Sequence, residues 1–131
     1  MLSRHADITI APAPGPEVVT GSSRMKSGTA QKLVLNMLST ATMIKLGKVY
    51  GNLMVDVKAS NEKLVHRAVS IVSTAAEVDE ATARAALDAC GFSCKTAIVM
   101  LLLGVSREEA DAALSRADGH IARALAGSRK A

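Results

Sequence analysis

Residues 6–40 decide the fold, and they read ADITIAPAPGPEVVTGSSRMKSGTAQKLVLNMLST. The first six residues, 6–11, alternate apolar and polar side chains, a pattern that predicts a β-strand. The proline-rich stretch 12–16 then excludes regular structure. From Ser27 onward, apolar residues recur every three or four positions, as one face of an α-helix requires. A strand, a loop and a long helix are therefore expected in this order.

The long helix is expected to lie in an interior. Its apolar stripe consists of Ala30, Val34, Met37, Leu38, Ala41 and Ile44. Leu33, Leu35 and Met43 add apolar side chains outside that stripe, which predicts that the helix is covered on more than one side. Gly47 is expected to end it.

A lone strand leaves its backbone amides and carbonyls without partners. Residues 6–11 therefore predict the last strand of a sheet whose other strands are absent. The chain is expected to be the carboxy-terminal part of a longer protein.

The remaining sequence predicts further helices. Residues 49–57 have no clean helical or strand period and are expected to form an ordered connection with a turn at Gly51–Asn52. Residues 61–76 have the spacing of an amphipathic helix that links two domains. Three short helices are expected within 77–131, where the capping residues are Asp79, Ser93 and Ser106 and the terminating glycines are Gly91, Gly104 and Gly119. The pattern allows one more turn or short helix at 120–126. The predicted domains are thus 1–60 and 77–131, joined by 61–76.

Composition limits the function. The net charge of +4 is spread along the chain, and aromatic residues make up 2% of it, so a nucleic-acid partner is not expected. The longest apolar run, 97–103, is far shorter than the ~20 residues of a membrane-spanning helix. The first residues lack the apolar stretch of a secretory signal, which predicts a cytoplasmic protein. Cys90 and Cys94 have no further metal ligands nearby and are expected to be buried, reduced thiols, so no metal site is predicted.

The densest polar segment, residues 17–28, is the candidate ligand site. It carries hydroxyls, glycines and the cations Arg24 and Lys26 between the predicted strand and the long helix. A loop that enters a helix amino terminus offers backbone amides and side-chain donors to an anion. An ordinary turn followed by a helix cap explains the same residues equally well.

Residues 17–40 resemble the signature region of N-acetylmuramic acid 6-phosphate etherases. The similarity continues through 47–57, 61–64 and 94–100, and therefore spans nearly the whole chain. Glucokinase regulatory proteins share a looser version of Ser22–Lys26.

The resemblance implies a mainly α-helical chain: the carboxy-terminal remnant of an α/β sugar isomerase (SIS) domain with a parallel sheet, followed by a small bundle like the ubiquitin-associated fold. It implies a homodimeric enzyme of amino-sugar metabolism that removes D-lactate from a phosphorylated amino sugar, N-acetylmuramic acid 6-phosphate, without a cofactor. A non-catalytic sugar-phosphate-binding regulator is the alternative.

The resemblance also limits the site residues. The family's catalytic glutamates lie in the amino-terminal half, so no catalytic residue is expected in this chain. The expected substrate-binding residues are Glu17, Thr20, Ser22, Ser23 and Lys26. Glu17 is expected either to orient the substrate or to cap the segment that follows.

Overall fold

The structure is a computed structural model that describes the backbone of residues 2–128 and the side chains of residues 4–128. The described residues are mainly helical, as predicted, and form a short 3₁₀-helix, six α-helices and one small hairpin. The 3₁₀-helix spans Leu2–His5. The other elements are α1 Lys26–Lys45, β1 Val49–Tyr50, β2 Leu53–Met54, α2 Glu62–Ala76, α3 Glu80–Ala89, α4 Cys94–Leu103, α5 Arg107–Arg116 and α6 Ile121–Ser128.

The chain divides into two compact units, one ending at Ala41 and the other beginning at Thr42. This division falls within α1. The helix predicted at 61–76 forms as α2 within the second unit, where Ala68, Val69, Ile71 and Val72 of its apolar face are buried. The domain boundaries after residues 60 and 76 stay a prediction.

The predicted strand at 6–11 is wrong. These residues have no regular structure, and Ile8 and Ile10 remain 82% and 54% exposed. A strand is stabilised by hydrogen bonds to a neighbouring strand. Among the described residues, the only strands are β1 and β2, which pair with each other, so the alternating pattern of 6–11 has no ladder to join.

Helix α1 forms where it was predicted, and it ends before Gly47, which has a φ of +66°. The predicted interior position is not found, because α1 buries none of its residues within the described chain. Leu35 and Met37, for example, are 59% and 62% exposed. Helical periodicity is a local property, so the sequence predicts α1 correctly. Burial depends instead on the surfaces available to cover the helix.

The predicted turn at Gly51–Asn52 is confirmed, but its flanks are more regular than expected. β1 and β2 pair antiparallel, with Val49 opposite Met54. After the hairpin, Val55 is buried in the core of the second unit. Lys48 and Asp56 form an ion pair beside it, and the Lys48 ammonium holds the pKa of the Asp56 carboxyl below its usual value.

The second unit has an aliphatic core built from α2 to α6 and the segment after the hairpin. Its largest fully buried side chains are Leu87, Ile98, Val55, Val72, Val99 and Cys94. One buried polar residue, Thr96, donates its hydroxyl to Asp111 Oδ1 at 2.7 Å and so connects α4 with α5. In the part of the chain described, no single helix is long and apolar enough to span a membrane; α3 and α4 pass that test of length and composition only as a pair bent by 113°.

The predicted helix caps are confirmed. Asp79, Ser93 and Ser106 each accept a hydrogen bond from the backbone amide three residues later, at 2.8, 3.3 and 3.3 Å. Ser106 and Glu109 form the complete capping box, since the Glu109 carboxylate also accepts from the Ser106 amide at 2.9 Å. The described part of 77–131 holds three predicted helices and, after the glycine turn at Gly119, the further short helix allowed at 120–126, which forms as α6.

Both cysteines are free and buried, as predicted. Cys90 donates its thiol to the Ser93 carbonyl at 3.3 Å. Burial raises the pKa of both thiols, that of Cys94 to about 11. A thiol that stays protonated is a poor nucleophile and a poor metal ligand, so these two residues serve packing.

We expect the stability of the second unit to fall at alkaline pH. In the folded state Cys94 keeps its proton up to about pH 11, whereas in the unfolded chain it loses it near 9.0. Between these values the unfolded state binds fewer protons, so the contribution of Cys94, full below pH 9, is lost as pH rises, by about 2 kcal/mol at about pH 10.5 and about 3 kcal/mol in total. Urea unfolding at about pH 8 and about pH 10.5 measures this difference. Cys94→Ala should remove most of it; an identical pH dependence in Cys94→Ala would contradict the assignment.

Candidate functional site

The candidate loop, residues 17–28, is organised by a tight turn at its tip. The Ser22 amide donates to the Val19 carbonyl at 3.0 Å, and Gly21 between them has a φ of +85°. Positive φ at the third residue of such a turn is typical of type II, which favours glycine there. Thr20 is exposed beside Gly21. The sequence Thr-Gly-Ser-Ser thus places hydroxyls at the tip and just after it.

Glu17 and Lys26 close the base of the loop. Glu17 Oε2 accepts from the Lys26 amide at 3.0 Å, and Glu17 Oε1 accepts from the Ser27 amide at 3.2 Å. Lys26 Nζ donates to the Pro16 carbonyl at 2.8 Å. We call these three hydrogen bonds the clasp. Because the first amides of a helix have no partner within the helix, the clasp caps α1 from a residue far from it in sequence.

The two serines have different surroundings. Ser22 is half-buried, and its Oγ accepts from the Arg24 amide at a long 3.4 Å. Ser23 is exposed and lines a pocket of about 340 Å³ between the proline-rich segment and α1. Ser27 and Gln31, one turn apart on α1, line the same pocket together with Pro12 and Pro14.

Lys26 lines a second pocket, together with Arg24 and Met25. The structure therefore brings Glu17 and Lys26 together, whereas Ser23 and Lys26 line two different pockets, both of which Pro14 also lines. Sequence reasoning missed Ser27 and Gln31 as pocket residues. Their spacing of four on a predicted helix, with Ser23 a further four residues before, is the signal that indicates them.

The electrostatics of this site favour an anion. The first turn of α1 has no acidic residue, and Arg24 and Lys26 add two cations to the partial positive charge of the helix amino terminus. Hydroxyls, amides and cations suit a ligand that carries both phosphate and hydroxyl groups. Proton transfer needs a base and an acid, whereas residues 17–28 contain one carboxylate, that of Glu17. Within residues 17–28, Glu17 is thus the one carboxylate available for proton transfer.

The residues that the structure describes contain no cluster of side chains that would bind a metal ion. Among residues 4–128, no three His, Cys, Asp or Glu side chains are grouped as a metal site requires. The two cysteines, which have the only spacing suggestive of a metal in the sequence, are protonated core residues.

Comparisons with known proteins give two kinds of match for this chain. Residues 51–90 match a family model described as the C-terminal lid domain of glucokinase regulatory protein. Curated relatives match almost the whole chain. The N-acetylmuramic acid 6-phosphate etherase of Klebsiella aerogenes is 60% identical over 124 residues, which are 95% of this chain and 41% of that protein.

Two more relatives carry the same name. The etherase of Edwardsiella ictaluri is 62% identical over 92% of this chain and 40% of its own length. Etherase 1 of Vibrio cholerae is 59% identical over 95% of this chain and 41% of its own length. The chain thus spans about two fifths of the length of these relatives. The resemblance predicted from residues 17–40 is confirmed: over 95% of its length, this chain is similar to the carboxy-terminal part of N-acetylmuramic acid 6-phosphate etherases.

Proposed function

We propose that this chain is the carboxy-terminal part of a carbon–oxygen lyase that cleaves the D-lactyl ether of N-acetylmuramic acid 6-phosphate. Elimination of D-lactate is followed by addition of one water molecule to the unsaturated sugar, so the products are N-acetylglucosamine 6-phosphate and D-lactate. The enzyme acts in the cytoplasm in the recycling of cell-wall amino sugars. The observation that carries the proposal is the identity of 60% over 95% of the chain to an etherase of that name. The hydroxyls, amides and cations of residues 17–28, which suit an anionic ligand, also support it.

In this proposal the loop binds substrate, and the elimination is performed by residues outside this chain. Thr20, Ser22 and Ser23 donate hydroxyl hydrogen bonds to the sugar phosphate, and Lys26 adds positive charge at the amino terminus of α1. Removing lactate from a carbon beside an acidic C–H needs a base for that proton and an acid for the leaving oxygen. Those carboxylates are supplied by the part of the etherase that precedes the matched region.

The architecture proposed for the complete enzyme explains two features of the chain. Residues 1–60 belong to a SIS domain whose parallel sheet covers α1, which accounts for the exposed Leu33, Leu35, Met37 and Leu38. Residues 77–131 form a module like the ubiquitin-associated fold that packs on the rest of the enzyme. We further propose that the enzyme is a homodimer; sedimentation of the complete polypeptide tests this directly.

The experiment joins this chain covalently to the amino-terminal part of a relative. The matched 41% of the Klebsiella aerogenes etherase is replaced by this chain, and D-lactate release from N-acetylmuramic acid 6-phosphate is followed. Ser23→Ala in this chimera should raise KM by about tenfold or more through the loss of a hydrogen bond to a charged group. Ser39→Ala, on α1 three turns beyond the loop, serves as the matched control and should leave both kcat and KM unchanged.

Equal kinetic constants for the chimera and its Ser23→Ala variant would remove Ser23 from the site. A folded chimera that binds the substrate but releases no lactate would favour a second function.

That second function is a non-catalytic regulator that binds sugar phosphates. The match of residues 51–90 to the lid domain of a glucokinase regulatory protein favours it. A regulator and an etherase share the sugar-phosphate ligand but differ in turnover. The two are separated by measuring lactate and bound sugar phosphate on the same sample of the chimera.

A further inference from the structure

We infer that Glu17 is a positioning residue that sets the shape of the substrate loop through the clasp and does not itself contact the substrate. This inference rests on the proposed function and assigns Glu17 one of the two roles that the sequence left open. The groups of the loop that contact the substrate are then the hydroxyls of Thr20, Ser22 and Ser23 and the ammonium of Lys26.

The first argument is the occupancy of the carboxylate. Each Glu17 oxygen already accepts one amide of α1, from Lys26 at 3.0 Å and from Ser27 at 3.2 Å. The side chain is half-buried. A substrate hydroxyl would have to share an oxygen that already accepts an amide of α1, because neither oxygen of Glu17 is free of the cap.

The second argument is charge. A free carboxylate inside a loop that binds a phosphate dianion repels its ligand. In the clasp, the amides at the positive end of α1 stabilise the Glu17 charge, and the Lys26 ammonium lies in the same small region on the Pro16 carbonyl. The clasp therefore lets the loop contain a glutamate and still attract an anion.

The third argument is geometry. Glu17 and Lys26 are nine positions apart in sequence; the Glu17 carboxylate accepts from the Lys26 amide, and the Lys26 ammonium donates to the carbonyl of Pro16, the residue before Glu17. Between them, the Val19–Ser22 turn fixes the tip of the loop. A segment held at its base and at its tip has few conformations left, so the hydroxyls are ordered before the ligand arrives, which lowers the entropic cost of binding.

Hydrogen exchange on the full 131-residue chain tests the clasp itself. Glu17→Ala should speed exchange of the Lys26 and Ser27 amides by about tenfold or more, because a charge-assisted cap is lost. Glu17→Gln retains one acceptor oxygen and should give an intermediate effect. Ser39→Ala should change neither amide. Unchanged exchange of both amides in Glu17→Ala would overturn the inference.

Kinetics of the chimera described above test the function of the clasp. Glu17→Ala should raise KM about tenfold and change kcat by less than about threefold, and Glu17→Gln should recover part of the lost affinity. A loss of kcat of a hundredfold or more at unchanged KM would make Glu17 a catalytic residue and overturn the inference. Unchanged kcat and KM would overturn it too.

The two experiments separate the inference from the proposed function. If the parent chimera releases no lactate, the proposed function fails, and the positioning role for an etherase substrate fails with it. Hydrogen exchange still reports in that case whether Glu17 caps α1. If the chimera is active and only the Glu17 predictions fail, the proposed function stands without the positioning role.

Discussion

Replacing Ile98 by alanine is expected to lower the free energy of unfolding of the second unit by about 2–5 kcal/mol. Ile98 is fully buried in α4, among the largest enclosed side chains of the core. The substitution removes apolar contacts and leaves a cavity that the surrounding helices fill only in part. Small domains have total stabilities of about 5–15 kcal/mol, so the variant should be mostly unfolded at moderate urea concentrations. Urea unfolding followed by circular dichroism measures the change.

Leu102→Ala is the matched control, because Leu102 lies on the same helix, one turn further, and is 39% exposed. It should cost clearly less than Ile98→Ala, since less apolar surface returns to water and no closed cavity forms. Equal losses in the two variants would show that α4 does not bury the face described here.

Replacing Gly47 by alanine is expected to destabilise the second unit by about 2–3 kcal/mol. Gly47 has a φ of +66°, and a Cβ added there would lie 3.0 Å from the Gly119 carbonyl oxygen and 3.0 Å from His120 Cγ. The carbonyl has little freedom to withdraw, because Lys95 Nζ donates to it at 3.1 Å. The midpoint temperature of unfolding measures the effect.

Gly104→Ala separates the two causes of that loss. Gly104 has the same φ of +66°, but a Cβ there meets no atom within 4 Å. This variant therefore carries only the backbone cost, about 1–2 kcal/mol, and should be the milder of the two. Equal losses of stability in Gly104→Ala and Gly47→Ala would show that the close approach of residues 47 and 119 does not contribute to the destabilisation.

The helices could be predicted from the sequence because their determinants are local. Asp79, Ser93 and Ser106 cap the helices that they were expected to cap. A cap needs only a side chain and an amide three residues away, so four residues contain the whole interaction. The same holds for the turn at Gly51.

The strand at 6–11 and the burial of α1 could not be predicted from local pattern. Alternation shows that a segment suits a sheet, but a strand forms only when a partner supplies its hydrogen bonds. Likewise, an apolar surface on α1 shows what the helix can bury and not what covers it. In both cases the missing information concerns a neighbour in space.

The candidate site was predicted in part. The location of the loop and its ligand class follow from the hydroxyls, glycines and cations of 17–28. The clasp does not, because the eight residues between Glu17 and Lys26 give no periodic signal that would bring them together. The contact is apparent only in the structure, where a turn that Gly21 permits at a φ of +85° brings the two residues together.

The most direct test is whether this chain completes an etherase. The chimera with the amino-terminal part of the Klebsiella aerogenes relative is compared with that part alone and with this chain alone, and D-lactate formed from N-acetylmuramic acid 6-phosphate is quantified. We predict lactate from the chimera at a rate within about tenfold of the Klebsiella enzyme, and none from either part alone. A chimera that folds and forms no lactate would contradict the account.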